Sequence, residues 1–317
     1  MDRRPNEILQ AVLDNVEKVV VGKRTELELT IVALAGQGHV LIEDVPGVGK
    51  TVMAKSLARS LGCSFKRIQF TPDLLPSDVT GVSIYNQRSE EFEFRPGPVV
   101  AQVVLADEIN RATPKTQAAL LEAMEEQQIT VDGTTHDLPR PFIVLATQNP
   151  IEYEGTFPLP ESQLDRFMLR VRLGYPKRDE EMNILERQQR SHPVESLEAV
   201  TSEAELLRVQ QAVRDVFVDD LIRRYIVDLA NATRSHPEVY VGASPRASLS
   251  LMRSSQALAL LRGREFVTPD DVKALTIAVM AHRVIVLPSA RVKDVSGVSI
   301  VDEVTTNVPV PGSRVPA

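Results

Sequence analysis

Residues 39–51 read HVLIEDVPGVGKT, and most of the fold can be worked out from them. The apolar run at 40–42 predicts a short buried strand that ends at a turn containing two glycines. The segment 50–61 predicts a helix, because apolar residues recur along one side of it and Gly62 follows as a stop signal. A strand, a glycine-rich turn and a helix in this order are typical of a loop that binds phosphate groups.

The loop contributes the predicted ATP-binding residues Pro46, Gly47, Val48, Gly49, Lys50, Thr51 and Val52. Its glycines let backbone N–H groups curl around a phosphate, and the helix start adds a partial positive charge. We expect Lys50 to reach the β- and γ-phosphates and the Thr51 hydroxyl to hold Mg²⁺. The generic pattern has a glycine five residues before Gly49, where this chain has Asp44. A glycine-rich turn without a ligand is the alternative, but the flanking strand and helix favour nucleotide binding.

A second motif places two carboxylates at the end of an apolar run, Val-Val-Leu-Ala-Asp-Glu at 103–108. Charges at the end of a buried strand need a partner or an ion. Asp107 is therefore predicted to hold the magnesium ion, and Glu108 to be the base that polarises an attacking water. A pair of exposed loop acids would be the better interpretation if the motif stood alone, but it follows a phosphate loop.

A third apolar run ends in Ala-Thr-Gln-Asn at 146–149. Strands two apart in such sheets bring their carboxyl ends to the same crevice, so Asn149 is predicted to orient the water or to touch the γ-phosphate. Asparagine before proline is also an ordinary turn former, and this residue alone proves little.

Two arginines complete the predicted catalytic set. Arg166 lies at the end of a short helix predicted over 161–167. Arg246 lies at the start of a later helix, where its charge meets the positive end of the helix dipole, and this favours an anionic partner for it. A surface arginine is the alternative for each, and for Arg166 alone the two interpretations are even.

The rest of the first half alternates strands and helices. Apolar, β-branched runs at 99–105 and 142–147 predict strands, and 114–127 between them predicts a helix. This alternation predicts an α/β core with a parallel sheet and helices on both faces. Two β-hairpins, at 82–95 and 128–138, are predicted to protrude from it, the second because Asp-Gly is a strong hairpin-turn signal.

The second half predicts a helical domain. Amphipathic segments at 178–190, 202–215, 219–235, 245–262 and 268–282 follow the core, with caps at Ser202 and Thr268. The predicted domains are the core at 1–175, the helical domain at 176–288 and a C-terminal tail at 289–317. The tail is predicted to hold a short helix at 299–308 and to end in disordered residues.

Composition narrows the class of protein. The 317 residues contain no apolar run near the ~20 that a membrane span needs, and the first ten residues lack the apolar stretch that is typical of a signal peptide. One cysteine, Cys63, excludes an internal disulfide and suggests a cytoplasmic protein. The net charge of -7 makes nucleic acid an unlikely partner.

The motifs together resemble the MoxR family of AAA+ ATPases. The runs IEDVPGVGKT, LADEINRATPKTQAALLEAMEE, ATQNP, FPLPESQLDRF and GASPRA follow one another in that family's order, and the resemblance covers nearly all of residues 6–288. It implies a P-loop NTPase core with two hairpin inserts and an all-helical lid domain. Within the family, Asp44 is an ordinary residue of the loop.

The resemblance also assigns roles to individual residues. It implies a Walker A motif at 46–51, a Walker B motif at 107–108 and sensor 1 at Asn149. It makes Arg166 the arginine finger, with Arg170 as the other candidate, and Arg246 sensor 2. The segment around Val21 and Gly22 would cradle adenine.

The family's biology adds expectations that the residues themselves do not provide. MoxR-type proteins suggest a homo-oligomer, a hexameric ring that uses ATP and Mg²⁺. Such rings act as chaperones with von Willebrand factor A domain proteins on protein clients. A nucleic-acid-dependent AAA+ motor is the main alternative, and the acidic balance of the chain with the absence of lysine from 128–138 argues mildly against it. A nucleotide-gated scaffold without catalysis is a further alternative, against which Glu108 argues.

Overall fold

The computed structural model describes residues 3–150, 155–188 and 193–311. Its centre is a five-stranded sheet in which every strand is parallel to its neighbours. In chain order the strands are β1 (Val40–Glu43), β2 (Phe65–Gln69), β5 (Val103–Asp107), β8 (Ile143–Gln148) and β9 (Leu169–Val171). Their spatial order is β2-β5-β8-β1-β9, so the three strands that precede the predicted site residues lie side by side.

The sheet is covered on both faces, as the apolar strands require. The core helices are α1 (Pro5–Glu17), α2 (Arg24–Ala35), α3 (Lys50–Leu61), α4 (Pro76–Thr80), α5 (Pro114–Glu126) and α6 (Glu161–Leu164). Along β5, Val103 and Leu105 belong to the apolar cluster that contains α1 to α3, while Val104 and Ala106 belong to the cluster that contains α5. Successive side chains of a strand point to opposite faces, so β5 supports a layer of helices on each side.

Two antiparallel hairpins project from this core, as predicted. The first joins β3 (Gly81–Asn86) to β4 (Glu91–Pro96), and the second joins β6 (Gln128–Val131) to β7 (Thr134–Asp137). The second hairpin turns at Asp132 and Gly133, which both have positive φ angles.

The helical domain packs around apolar side chains from the second half of the chain. These side chains belong to the same apolar cluster as those of α1 to α3. Its elements are α7 (Arg178–Gln188), α8 (Glu203–Asp215), α9 (Asp220–Ser235), β10 (Val239–Val241), α10 (Pro245–Leu261), α11 (Pro269–Met280), β11 (Ile285–Val286), α12 (Pro288–Arg291) and α13 (Gly297–Asn307). The predicted caps are present, since Ser202 and Thr268 both form capping boxes. Among the described residues, no helix combines the length and the apolar character that a membrane span requires.

The last helix lies slightly earlier than its prediction. α13 begins at Gly297 rather than at 299, because the Ser296 hydroxyl accepts a hydrogen bond from the Ser299 N–H and caps the helix there. Its buried face packs against α9 and α11. The disordered end predicted after it falls on 312–317, and the end of the helix predicted over 178–190 falls on 189–190; both lie outside the described residues. The domain boundaries at 175 and 288 stay predictions.

One buried cation joins the helical domain to the core. Arg283 is 5% exposed, and its Nε lies 2.7 Å from Asp165 Oδ1. Its Nη2 donates to the carbonyl oxygen of Phe167 at 2.7 Å. Burial lowers the pKa of Arg283 to about 10, the Asp165 carboxylate opposing the shift. The hydroxyl of Ser244, the N-cap of α10, donates to the same carboxylate at 2.9 Å. Lid and core are thus tied together beside Arg166.

Candidate functional site

The carboxyl ends of β1, β5 and β8 meet at one cavity of about 370 Å³. Residues from the turn after each strand reach it, because adjacent parallel strands end at the same edge of the sheet. The lining is Pro46, Gly47, Gly49, Lys50, Thr51, Val52, Arg67, Asp107, Glu108 and Asn149. The structure therefore brings together the predicted phosphate loop, both predicted acids and the predicted polar sensor.

The phosphate loop has the backbone shape that its glycines allow. Gly47 and Gly49 have φ angles of 86° and 94°, a region that other residues rarely adopt. A Cβ at either position would meet nothing within 4 Å, so backbone strain rather than space selects glycine there. The Val48 side chain packs against the core and does not line the cavity. Lys50 is buried, and its Nζ donates to the Asp44 carbonyl oxygen at 2.7 Å.

Asp44, the departure from the generic loop pattern, has a structural role. Its φ is not positive, so the position does not need glycine. Its Oδ1 accepts from the Val45 N–H at 2.8 Å, and its Oδ2 accepts from the Gly174 N–H at 2.6 Å. The carboxylate therefore fastens the start of the loop to the segment that leads into the helical domain.

Asp107 is held by two residues that sequence reasoning missed. Thr147 on β8 donates its hydroxyl to Asp107 Oδ1 at 2.6 Å and accepts the Glu108 N–H at 2.8 Å. Arg67 on β2 lies 2.6 Å from the other carboxylate oxygen of Asp107. Because polar residues interrupt the apolar pattern of β2, an edge strand, its side chains gave no signal of a site until its pairing with β5 was known.

Glu108 has a strained backbone and a restrained side chain. Its φ is 56°, the left-handed region, where side chains other than glycine are strained and functional residues often occur. Its Oε2 accepts from Gln69 at 2.9 Å and from Arg111 at 3.0 Å. The carboxylate is thus fixed at the cavity wall by two side chains.

The residues of this cavity fit a nucleoside triphosphate with magnesium. Two glycines and a helix N-terminus form a phosphate cradle that a side chain would strain, and a buried lysine lies beside it. The Thr51 hydroxyl and the Asp107 carboxylate are hard oxygen ligands of the kind Mg²⁺ prefers.

The two predicted arginines lie elsewhere, together. Neither Arg166 nor Arg246 lines the cavity. Helix α6 ends at Leu164, so Arg166 lies two residues beyond it rather than at its end as predicted. Arg166 Nη2 is 3.1 Å from Glu125 Oε2, and Arg246 contacts the other oxygen of the same carboxylate. Sequence reasoning missed Glu125, one of several acids on α5 with nothing to distinguish it.

Arg170 and the predicted adenine segment also lie away from the cavity lining. Arg170 is mostly buried on β9 and 3.4 Å from Glu43, and desolvation lowers its pKa. Gly22 packs against Glu180 at the start of α7; a Cβ there would lie 2.2 Å from the Glu180 side chain. The segment of Val21 and Gly22 therefore runs beside the first helix of the helical domain.

Family models match both halves of the chain. The model for the ATPase family associated with various cellular activities (AAA) matches residues 39–169. The model for the AAA lid domain matches residues 231–304. The first match contains the phosphate loop, both acids, Asn149 and Arg166; the second contains Arg246.

Relatives match over nearly the whole chain. The uncharacterized protein YeaC of Bacillus subtilis (strain 168) is 53% identical over 97% of this chain and 96% of its own length. Chaperone MoxR1 of Mycobacterium tuberculosis is 42% identical over 96% of this chain and 82% of its own. A crystal structure of a presumed ATPase from Cytophaga hutchinsonii superposes with a TM-score of 0.91, at 37% identity and 96% coverage of each chain.

Proposed function

The chain belongs to the MoxR family of AAA+ ATPases, and we propose that it hydrolyses ATP in a ring of identical subunits and uses the cycle to remodel protein clients. The observation that supports a ring is that the predicted site residues lie in two separate clusters. The phosphate loop and the acids line one cavity, while Arg166 and Arg246 pair with Glu125 outside its lining. A second subunit placed against this cavity would supply the missing cations.

In this proposal each residue of the cavity has one task. Lys50 neutralises charge on the β- and γ-phosphates, and Asn149 orients the attacking water. Glu108 takes a proton from that water as its oxygen bonds to the γ-phosphorus, and the bond to the bridging oxygen breaks to give ADP and phosphate. Mg²⁺, held through Thr51 and Asp107, would neutralise charge on the bridging and terminal phosphate oxygens. The restraints on Asp107 and Glu108 support these roles, because preorganised groups need little rearrangement.

The arginines would act across the subunit boundary. Charge develops on the γ-phosphate during transfer, and a trans arginine contributes about 10³–10⁵ in rate in related phosphoryl-transfer systems. Arg166 suits this task better than Arg170, since the Arg166 side chain is 30% exposed, whereas that of Arg170 is 17% exposed. We also propose a hexamer, a von Willebrand factor A domain partner and a protein client; the chaperone relative supports the protein client.

Subunit mixing tests the shared site. Glu108→Gln keeps the shape of the acid but cannot accept the proton, so turnover should fall by about 10² or more with ATP still bound. Arg166→Ala should also be inactive, while an equimolar mixture of the two variants should recover part of the turnover. The recovery is expected because some boundaries then pair an intact acid with an intact arginine.

Controls make the result decisive. Arg170→Ala is the matched variant, and it should retain turnover if Arg166 has the role. Turnover that does not depend on protein concentration, together with no recovery in subunits shown to exchange, would exclude the shared site. Ordinary activity in Arg166→Ala with loss in Arg170→Ala would move the role to Arg170. Adding DNA in parallel tests the motor alternative, for which turnover should rise with DNA.

A further inference from the structure

The arginine cluster is organised by one carboxylate from a third element. Glu125 lies in the last turn of α5, Arg166 follows α6, and Arg246 lies in the first turn of α10. Glu125 Oε2 is 3.1 Å from Arg166 Nη2, and Glu125 Oε1 contacts Arg246 Nη2. Each carboxylate oxygen thus binds a different arginine, one from the core and one from the lid.

Electrostatics explains why the two arginines need this partner. Both guanidiniums are permanently charged, and Arg246 also lies at the positive end of the α10 dipole. Without Glu125 the two charges would repel each other, and long arginine side chains would spread over many rotamers. With it the cluster keeps one net positive charge and remains accessible, because the three side chains are between 30% and 42% exposed.

The backbones beneath the two arginines are fixed by another shared carboxylate. Asp165, next to Arg166 in sequence, accepts the Ser244 hydroxyl at 2.9 Å and the Arg283 Nε at 2.7 Å. Ser244 is the N-cap of the helix that carries Arg246. Asp165 therefore holds the two chain segments together, and Glu125 holds the two charged ends together.

An open hollow lies beside the cluster. It measures about 520 Å³, and Glu125 and Arg166 both line it. Glu122 and Glu126 also line it, so Glu125 can be compared with two other acids of the same helix. The contact to both arginines distinguishes Glu125 from these two exposed neighbours.

We propose that Glu125 is a positioning residue that presents Arg166 and Arg246 as one unit to the terminal phosphate of ATP bound by an adjoining subunit. The inference rests on the shared site proposed above. Glu125 itself touches neither the nucleotide of its own subunit nor the reacting atoms; it sets where the two guanidiniums lie. Core and lid then deliver their arginines together, so a lid that moves away from the core withdraws Arg246 from the pair.

The first test is a kinetic comparison. Glu125→Gln keeps the side-chain shape and removes the charge, so the arginines lose their fixed position. Misplacement on the order of 1 Å can reduce a rate about 10²-fold, and we expect a loss of this size in kcat. The affinity of an isolated subunit for a fluorescent ATP analogue should stay within about twofold, because the phosphate cavity is untouched. Glu125→Asp should restore part of kcat, and Glu122→Gln is the matched control that should leave kcat unchanged.

The second test uses complementation to locate the defect. Glu125→Gln mixed with Glu108→Gln should regain turnover, because the intact acid of the first variant then meets the intact arginines of the second. Glu125→Gln mixed with Arg166→Ala should not regain it, because both variants are defective in the same cluster.

The outcomes separate this proposal from the one on which it rests. If Arg166→Ala is rescued by Glu108→Gln but Glu125→Gln is not, or if Glu125→Gln keeps full turnover, the role of Glu125 is overturned and the shared site stands. Rescue of Glu125→Gln by Arg166→Ala would also overturn it. If Arg166→Ala itself is not rescued in exchanging subunits, the shared site fails and takes this inference with it.

Discussion

The phosphate cavity and the arginine cluster are built in different ways. The cavity lies at the ends of buried parallel strands, and Asp107 and Glu108 are held by groups from neighbouring strands of the same core. The arginine cluster joins a helix end, a loop and a lid helix, and its side chains are about a third exposed. The first region is fixed by the sheet, whereas the second depends on how the lid meets the core. Binding and rate should therefore respond to different mutations.

The largest effect on this comparison is expected from removing the buried lysine of the phosphate cavity. Lys50→Ala leaves two phosphates without charge-assisted hydrogen bonds, each contributing roughly 1.5–3 kcal/mol. ATP affinity should fall by about 10²–10⁴-fold, measured by titration with a fluorescent analogue. The arginine cluster cannot substitute, since it lies outside the lining.

Lys55 provides the matched control on the same helix. It is exposed on α3, and Lys55→Ala should leave ATP affinity unchanged. Affinity near that of the unmodified chain in Lys50→Ala would show that the cavity is not the nucleotide site.

A second variant addresses the junction beneath the arginine cluster. Arg283→Met removes a buried cation and leaves Asp165 and several carbonyl oxygens without their donor. Breaking a buried pair costs about 3–5 kcal/mol, and the lower end is expected because the Asp165 side chain stays 21% exposed. The measurement is the free energy of unfolding in denaturant, followed by kcat, which should fall more than ATP affinity does.

An exposed ion pair is the control for Arg283. Arg223 pairs with Asp220 one turn away on α9, and both are more than half exposed. Arg223→Met should cost less than about 1 kcal/mol. If the two variants lost the same free energy of unfolding, the ion pair at the core–lid junction would stabilise the protein no more than an exposed pair does.

The cavity could be predicted from the sequence, and the arginine cluster only in part. Local chemistry requires glycine at 47 and 49, lysine at 50 and two acids at the end of an apolar strand. The geometry of a parallel sheet is enough to place these residues together, because adjacent parallel strands end at one edge. Both hairpins and the longer helices were predicted for the same reason, from local periodicity and turn residues, whereas the short helices α4 and α12 were not predicted.

The residues that hold the site could not be found this way. Arg67 acts from β2, which was not predicted, because lysine, arginine and glutamine interrupt its apolar pattern. Glu125 resembles the other acids of its helix until the lid is folded against it. Asp165 and Arg283 are 118 residues apart, and only tertiary structure pairs them. Contacts between residues so far apart in the chain leave no local signal in the sequence.

The smallest expected effect comes from a histidine that lies between the two regions. His39 precedes β1; its Nδ1 accepts from the Val144 N–H on β8 at 3.0 Å, so its Nε2 carries the proton and donates to the Met124 carbonyl oxygen at 3.0 Å. Met124 is adjacent to Glu125, and β8 ends just before Asn149. Burial lowers the pKa of His39 to about 4, partly opposed by the bond to Met124.

Acid should therefore loosen the connection between the regions. The folded-state pKa of His39 lies below the ordinary value of about 6.5, so the unfolded chain takes up a proton first as the pH falls. Stability from this group is complete above about pH 6.5 and is lost towards pH 4, in total about 3 kcal/mol, with a slope of at most about 1.4 kcal/mol per pH unit. His282 has a pKa lowered by burial and by Arg283, and it adds in the same direction. His39→Gln removes the contribution of this histidine, so the unfolding free energy of the variant should vary less steeply between pH 6.5 and 4 than that of the unmodified chain. An unchanged slope would mean that His39 does not stay neutral in the fold, and that the end of α5 is joined to the sheet by other contacts.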